Sequence, residues 1–137
     1  MVEPVILAQR LRKAGLKPTR QRMALAGLLF GDHDRHVTAE DLHREALATG
    51  ATVSLATIYN TLNRFTAAGF LREVAVEGAR THFDTNTADH FHFYLEREGR
   101  LVDIDTHDVT VEGLPEAPDG KRVSRIDVIV RLSDRHG

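Results

Sequence analysis

The sequence predicts an α+β protein, with an N-terminal winged helix-turn-helix domain followed by a small α/β domain. Apolar residues recur at helical spacing in four segments before residue 70, after which the period changes to two. The two parts of the chain also differ in net charge. Residues 1–84 hold 11 Lys and Arg against 9 Asp and Glu, whereas residues 85–137 hold 7 Lys and Arg against 11 Asp and Glu. We therefore expect one domain at 1–84, a small polar hinge at 85–89 and a second domain at 90–137.

Local capping signals bound the four predicted helices. Thr19 and Ser54 stand where an N-cap side chain accepts a backbone N–H, and Thr38 with Asp41 matches a capping box. A glycine follows each apolar stretch at the position of a C-terminal cap. These glycines are Gly15, Gly31, Gly50 and Gly69.

A β-hairpin is expected directly after the fourth helix. One strand would run through residues 70–76 and its partner through 81–83, with Glu77 and Gly78 in the turn between them. Helices followed by such a hairpin are typical of a winged helix. The hairpin would form the wing.

The second domain is predicted to consist mainly of strands. Residues 90–96 and 101–105 form two candidate strands, and the β-branched segment 123–132 forms a third. The segment 109–114 is ambiguous and is compatible with a short helix before Pro115.

Two histidines in the first of these strands indicate a metal or haem site. His90 and His92 are two residues apart, so a strand places both imidazoles on one face. A two-residue turn at 98–99 would pair His92 with Asp105, and Asp103 would lie on the same face. Nitrogen and oxygen donors without sulfur suit Zn²⁺, Mn²⁺ or Fe²⁺, and imidazoles can equally bind haem iron.

Two further groups are candidates for the same cluster. Asp84 precedes the hinge and His36 precedes the third helix, and either would join the cluster if the domains fold against each other. A pair of histidines two apart in a strand also occurs without any ligand, so the alternative that these residues bind neither metal nor haem stays open. The remaining histidines are expected at the surface. They are His33, His43, His82, His107 and His136.

A catalytic role is a remote alternative. Histidine with aspartate can act as general acid and base or hold a hydrolytic metal ion, which would make the protein a small metal-dependent hydrolase. The sequence contains no nucleophile motif, glycine-rich phosphate loop or metalloprotease helix beside these residues. We therefore expect a protein that is not an enzyme.

The fourth helix has a polar face that suits a groove of DNA. Its apolar face consists of Leu55, Ile58, Leu62 and Phe65, and its polar face of Ala56, Tyr59, Asn60 and Asn63. No Asp or Glu occurs between residues 46 and 72, which favours a phosphate-facing surface. A solvated amphipathic helix would give the same pattern, so both interpretations stand at this point.

Four segments of the chain together resemble the ferric uptake regulator (Fur) family. They are AGLKPTRQR at 14–22, HVTAEDLH at 36–43, SLATIYNTLNRFTAAG at 54–69 and DHFHF at 89–93. The third is the most specific, because the DNA-reading helix of the family has a very similar Leu-Ala-Thr-aliphatic-Tyr core. The resemblance covers nearly the whole chain. It implies a homodimeric transcriptional regulator that binds double-stranded operator DNA, with the second domain as a small α/β dimerisation and ligand-sensing domain.

The resemblance also implies roles for particular residues. Lys17 would enter a minor groove, and Tyr59 and Asn60 would contact bases, although Asn60 stands where relatives often have Arg. The full DNA-contacting set would be Lys17, Thr19, Arg20, Arg22, Ser54, Thr57, Tyr59, Asn60 and Arg64. The regulatory metal site of the family would correspond to His36, Asp84, His90, His92 and Asp103.

Departures from the family pattern narrow the expected cofactors. The chain has no Cys, so the paired CxxC motifs that hold a structural zinc ion on four cysteines in many relatives are absent, and Phe91 replaces an acid of the additional sensory site. The segment 86–104 resembles the iron response regulator (Irr) branch, which implies a response to haem through His90 or His92. The alternative is a Fur-type repressor that uses Fe, Mn or Zn as corepressor.

The composition also bears on location. A chain without Cys forms no disulfide, which fits a reducing compartment, and no segment approaches the ~20 apolar residues of a membrane span. We see no signal peptide in the first residues. The expected location is the cytoplasm, without a membrane partner.

Overall fold

The computed structural model describes residues 3–135, which divide into one compact unit ending at Thr87 and a second beginning at Ala88. The first unit contains α1 (Pro4–Lys13), α2 (Arg20–Leu29), β1 (His36–Thr38), α3 (Ala39–Ala48), α4 (Leu55–Ala67), β2 (Arg72–Val74) and β3 (His82–Asp84). The second contains β4 (Phe91–Leu95), β5 (Arg100–Ile104), a 3₁₀ helix (Thr106–Asp108) and β6 (Ile129–Leu132). This is the α+β class that the sequence predicts.

Three of the four helices, α2, α3 and α4, begin directly after the predicted capping residues. The Thr19 hydroxyl accepts the backbone N–H of Arg22 at 3.2 Å, and the Ser54 hydroxyl accepts that of Thr57 at 3.1 Å. Thr38 and Asp41 form the expected reciprocal capping box. These caps satisfy backbone donors that have no partner within the first helical turn.

The core of the first unit lies against the apolar face of α4. Ile58, Leu62 and Phe65 have no exposed surface and belong to one cluster with residues of α1, α2 and α3. Phe65 also meets the rings of Phe30 and Phe70, with centroids 5.9 and 6.1 Å away. Burial of each such side chain contributes roughly 1.5–3 kcal/mol, so packing fixes which face of α4 points outward.

The wing is a three-stranded sheet in the order β1-β3-β2. The hairpin strand β2 is shorter than predicted, and β3 has the predicted length but begins one residue later. The two strands pair Arg72 with Asp84 and Val74 with His82. The prediction did not include β1, in which His36 lies opposite Asp84. His36 is therefore part of a strand and not of a loop.

The second unit is a sheet in the order β5-β4-β6, and its hairpin register corrects the sequence prediction. His92 pairs with Asp103 and not with Asp105, because residues 96–99 form the turn, closed by the Gly99 N–H donating to the Leu95 carbonyl at 2.8 Å. Gly99 has φ of +67°, a conformation that favours glycine. The shift of two residues keeps Asp103 on the histidine face, since side chains alternate with period two.

The structure also resolves one ambiguous segment of the second unit and shortens one predicted strand. Residues 109–114 form no helix, and the last strand begins only at Ile129, where its parallel pairing with β4 begins. Asp105 instead caps the 3₁₀ helix, its carboxylate accepting the His107 N–H at 2.9 Å.

Between residues 3 and 135, no helix has both the length and the apolar character that spanning a membrane requires.

One face of this second sheet is apolar across all three strands. Phe93 pairs with Val102 on one side and with Val130 on the other, so the three side chains lie in a row. Val102 and Val130 are each 37% exposed. The opposite face carries His92 and Asp103. We call the row around Phe93 the apolar sheet face.

Candidate metal centre and candidate nucleic-acid interface

The first unit contributes a histidine and a carboxylate that face each other across the wing sheet. His36 Nε2 lies 3.2 Å from Asp84 Oδ2, because the β1–β3 register places the two residues opposite each other. Asp84 is only 1% exposed, and its other oxygen, Oδ1, accepts the backbone N–H of Asn86 at 2.9 Å. The carboxylate is thereby held in one orientation.

The second unit brings together two histidines and a carboxylate. Asp103 Oδ1 lies 3.3 Å from His90 Nε2 and 3.4 Å from His92 Nε2, and the two imidazole centroids are 4.5 Å apart. His92 lies on β4 opposite Asp103, whereas His90 precedes the strand by one residue. Both histidines are buried.

A backbone contact fixes the tautomer of His90. Its Nδ1 lies 2.7 Å from the carbonyl oxygen of Ala88, and because a carbonyl only accepts, Nδ1 carries the proton. When the imidazole is neutral, Nε2 then presents its lone pair toward Asp103. Metal-binding histidines commonly donate their second ring N–H in this way.

The donor atoms of each unit fit a divalent cation. Two ligand atoms bound to one ion at about 2.0–2.2 Å are themselves about 3.0–3.5 Å apart in octahedral or tetrahedral geometry. The distances of 3.2 Å in the first unit and 3.3 and 3.4 Å in the second fall in this range. All five residues offer nitrogen or oxygen atoms, a set that suits Mn²⁺, Fe²⁺ or Zn²⁺.

One expected surface histidine is instead buried. His82 is 5% exposed, and its Nδ1 donates to the Arg80 carbonyl at 2.9 Å. His43 is half-buried, with Nε2 at 3.0 Å from the Val53 carbonyl, whereas His33 and His107 are exposed as expected. His136 lies outside the described residues.

The predicted DNA-contacting face of α4 is exposed. Tyr59 is 37% exposed, and Asn60, Asn63 and Arg64 are also exposed on the side away from the core. The first turn of α4 is held by its own capping residue, because the Ser54 hydroxyl donates to Thr57 Oγ1 at 2.9 Å. These side chains can approach a groove without moving the core.

The predicted contacts at the start of α2 lie on the same unit. Lys17, Thr19 and Arg20 are exposed, whereas Arg22 is half-buried and donates through Nη1 to the Lys17 carbonyl at 2.9 Å. Gln21 Nε2 reaches the Thr52 carbonyl at 3.5 Å, so the start of α2 adjoins the turn before α4. Arg22 therefore orders the loop that carries Lys17.

Sequence reasoning missed an acidic side chain on this surface. The Tyr59 hydroxyl donates to Glu40 of α3, at 3.1 Å to Oε2 and 3.3 Å to Oε1, and Arg80 Nε lies 3.6 Å from the same Oε2. Burial and the hydrogen bond to Glu40 raise the pKa of Tyr59 above its ordinary value. No local signal could reveal a contact between residues 19 positions apart.

Comparisons with known proteins agree with this architecture. The profile of the Ferric uptake regulator family matches residues 13–128. The peroxide-responsive repressor PerR of Staphylococcus epidermidis is 37% identical over 94 residues, which are 69% of this chain and 62% of that protein. The chain thus spans less than two thirds of the length of this relative.

Solved structures show the same fold. The ferric uptake regulator of Vibrio cholerae superposes with a TM-score of 0.73 and 22% identity, covering 93% of this chain and 99% of that one. That of Pseudomonas aeruginosa, solved with manganese, gives a TM-score of 0.71 and 24% identity over 98% and 99%. The family profile covers most of the sequence and the fold agrees with it. The chain therefore belongs to the ferric uptake regulator family.

Proposed function

We propose that this protein is a DNA-binding transcriptional regulator whose operator binding depends on a divalent cation. The observation that carries the proposal is the pair of His/Asp clusters, each with donor separations of 3.2–3.4 Å, in a chain that also exposes the polar face of α4. His36 and Asp84 would contribute from one unit and His90, His92 and Asp103 from the other. The positive charge of such a cation would balance the negative charge of the two aspartates, and the cation would bind the lone pairs of the five nitrogen and oxygen donors.

The proposal assigns the DNA contacts to α4 and the start of α2. Tyr59 and Asn60 would contact base edges, Lys17 would enter a minor groove, and the hydroxyls and arginines nearby would bind phosphates. The phosphate-binding set is Thr19, Arg20, Arg22, Ser54, Thr57 and Arg64. The exposure of Tyr59 and Asn60 supports this assignment.

A second copy of the chain would complete the regulator. The apolar sheet face, with Val102 and Val130 each 37% exposed, supports a homodimer formed by the second unit. A two-fold dimer presents two copies of α4 to half-sites of a palindromic operator about one helical turn apart. We place the hinge at residues 85–89, and the division after Thr87 supports that position.

Cation binding would regulate DNA binding through this hinge. A ligand shifts an equilibrium only if it binds the DNA-competent and incompetent forms with different affinity. Donors that belong to two units give such a difference, because all five can bind one ion only in the arrangement that brings them together. The ion would therefore favour one orientation of the DNA-binding unit.

The divalent cation is a better fit than haem. Haem iron needs an open side over its ligand to admit the macrocycle, and the side chains of His90 and His92 are only 8% and 4% exposed. An ion requires no more room than the space between the donor atoms. Membership of the Irr branch and a response to haem stay predictions. The following titration distinguishes a haem response from a response to a divalent cation.

The test combines metal titration with operator binding. The protein is stripped with chelator, and its binding to a pool of DNA duplexes is measured with Mn²⁺, Zn²⁺ or haem. We expect Mn²⁺ or Zn²⁺ to increase binding, and His90→Ala with His92→Ala to abolish that increase while leaving the circular dichroism spectrum unchanged. Exposed His107→Ala is the matched control. An unchanged metal response in the double variant contradicts the proposal, and an intense Soret band with altered DNA binding indicates haem.

A response to peroxide is a second candidate, favoured by the name of the repressor that is 37% identical to this chain. The chain has no Cys, so thiol oxidation cannot provide such a response. The His/Asp clusters are then the candidate site. We expect hydrogen peroxide to release DNA from the Fe²⁺-loaded protein but not from the Mn²⁺-loaded protein, and mass spectrometry to find added oxygen on a metal-binding histidine. Equal release from both forms contradicts this candidate.

An enzymatic role remains the remote alternative. A small metal-dependent hydrolase would turn over a substrate when loaded with Zn²⁺ or Mn²⁺. We propose instead that the chain is not an enzyme and acts in the cytoplasm, where operator DNA is found. Turnover of model esters or phosphodiesters without any binding to DNA would reverse this choice.

A further inference from the structure

An acidic side chain occupies the surface that the proposed function assigns to DNA. Glu40 lies in the first turn of α3, and its carboxylate accepts the Tyr59 hydroxyl at 3.1 Å and adjoins Arg80 of the wing at 3.6 Å. We call these three residues the Glu40 network. The side chain of Glu40 is 23% exposed and that of Arg80 is 66% exposed, so the network borders solvent.

The presence of Glu40 opposes phosphate binding. A carboxylate beside the polyanionic DNA backbone weakens non-specific attraction, which depends on cationic side chains. Arg80 offsets part of that charge, although an exposed ion pair at 3.6 Å contributes little stability by itself. The position of Glu40 therefore indicates a role other than affinity.

The direction of the hydrogen bond restricts what Tyr59 can recognise. A phenol has one proton, and in the Glu40 network the carboxylate accepts it. Toward DNA, the Tyr59 oxygen can then only accept, while its ring can contact a thymine methyl group. Guanine presents two acceptors, N7 and O6, on its major-groove edge and would find no donor at Tyr59.

We propose that Glu40 is a positioning residue that sets the base preference of Tyr59, by holding its hydroxyl proton and its ring so that guanine is rejected at the contacted base pair. The inference rests on the proposed function and deepens it. It assigns specificity to an acid on α3 that itself contacts no base. It also predicts that non-specific affinity and base discrimination respond in opposite directions when Glu40 is changed.

The experiment selects DNA from a pool of duplexes with a randomised central segment. Mn²⁺-loaded full-length protein is mixed with the pool, and the bound and unbound fractions are sequenced. The base pair contacted by Tyr59 is the one whose preference is lost in Tyr59→Ala. At that pair we expect the wild-type protein to disfavour guanine by about tenfold, a usual cost of one mismatched base pair, and Glu40→Leu, which has no acceptor for the phenol proton, to disfavour it by no more than about threefold.

Three further variants separate positioning from charge. Glu40→Asp keeps the charge but is one methylene too short to hold the phenol, so it should tolerate guanine as Glu40→Leu does. Glu112→Leu removes an exposed carboxylate from the second unit and should change nothing. Combining Tyr59→Phe with Glu40→Leu should restore the rejection of guanine, because no hydroxyl is left to donate.

Each result decides the inference. Glu40→Leu that folds, as judged by circular dichroism, and rejects guanine as strongly as the wild type overturns it. Tolerance of guanine in Glu40→Leu and Glu40→Asp, reversed in the double variant, supports it. A purely structural role for Glu40 would lower stability without changing base preference. If the wild-type protein enriches no duplex at any Mn²⁺ concentration, the proposed function itself fails, and the inference fails with it.

Discussion

Asp41 shows how hydrogen bonds to one side chain stabilise the folded state. At the start of α3, its carboxylate accepts the Thr38 N–H at 3.0 Å and pairs with Arg44 at 2.7 Å. Burial raises the pKa of Asp41, but the hydrogen bonds from Thr38 and the pairing with Arg44 outweigh it, so the pKa lies below its ordinary value. The ionised carboxylate therefore stabilises the folded state.

Replacing Asp41 by Asn should make the free energy of unfolding less dependent on pH in the acidic range. A depressed carboxylate pKa contributes stability that is present above the unfolded pKa of about 3.9 and lost as the pH falls through the folded value. We expect Asp41→Asn to lower the free energy of unfolding at pH 7 by roughly 0.5 kcal/mol, a small effect because solvent screens the pair. Urea unfolding between about pH 7 and 2.5 measures it. A deficit that does not shrink in acid contradicts the assignment.

The types of residue at the candidate site could be predicted, but some of their partners could not. His90 and His92 share a neighbourhood because they are two apart, and the histidine pattern is local. The bond from Tyr59 to Glu40 joins positions far apart in the chain and depends on how α3 packs against α4. The sequence shows that no Asp or Glu occurs between residues 46 and 72. It does not show that Glu40, from a different helix, lies beside Tyr59 on the candidate DNA-facing surface.

Helices were the elements most accessible to prediction, because their signals are local. Thr19, Thr38 and Ser54 each accept the backbone N–H that their position predicts, and the apolar spacing of α4 gives its buried face. The same spacing leaves Tyr59 and Asn60 on the opposite side. One helix thus supplies both the core of the first unit and the candidate surface for DNA.

Strand pairing was less accessible, because it depends on distant partners. The three residues of β1 become a strand only by pairing with β3, more than 40 residues later. The turn between β4 and β5 holds four residues where the sequence suggested two, which moved the partner of His92 from Asp105 to Asp103. Turn length sets register, and an even shift leaves each side chain on its predicted face. Asp103 therefore lies on the same face as His92, although the predicted register was wrong.

At the scale of the whole molecule, the apolar sheet face is a surface that a second copy of the chain could cover. Phe93, Val102 and Val130 form a row across three strands, and the sheet ends at β5 and β6. Water in contact with this row would be released if a second copy covered it, which is the usual driving force for association. We expect the protein to be dimeric whether or not DNA is present.

A charged residue on this face should separate the dimer. A two-fold interface contains each position twice, so Val130→Lys introduces two unpaired charges and should weaken self-association by at least about 30-fold. Sedimentation velocity over a range of protein concentrations measures the shift from dimer to monomer. Val5→Lys, on an exposed position of α1, is the matched control and should remain dimeric. Because paired half-sites require both copies of α4, binding to a palindromic duplex should fall with dimerisation. A dimer that persists in Val130→Lys would place the interface on another surface.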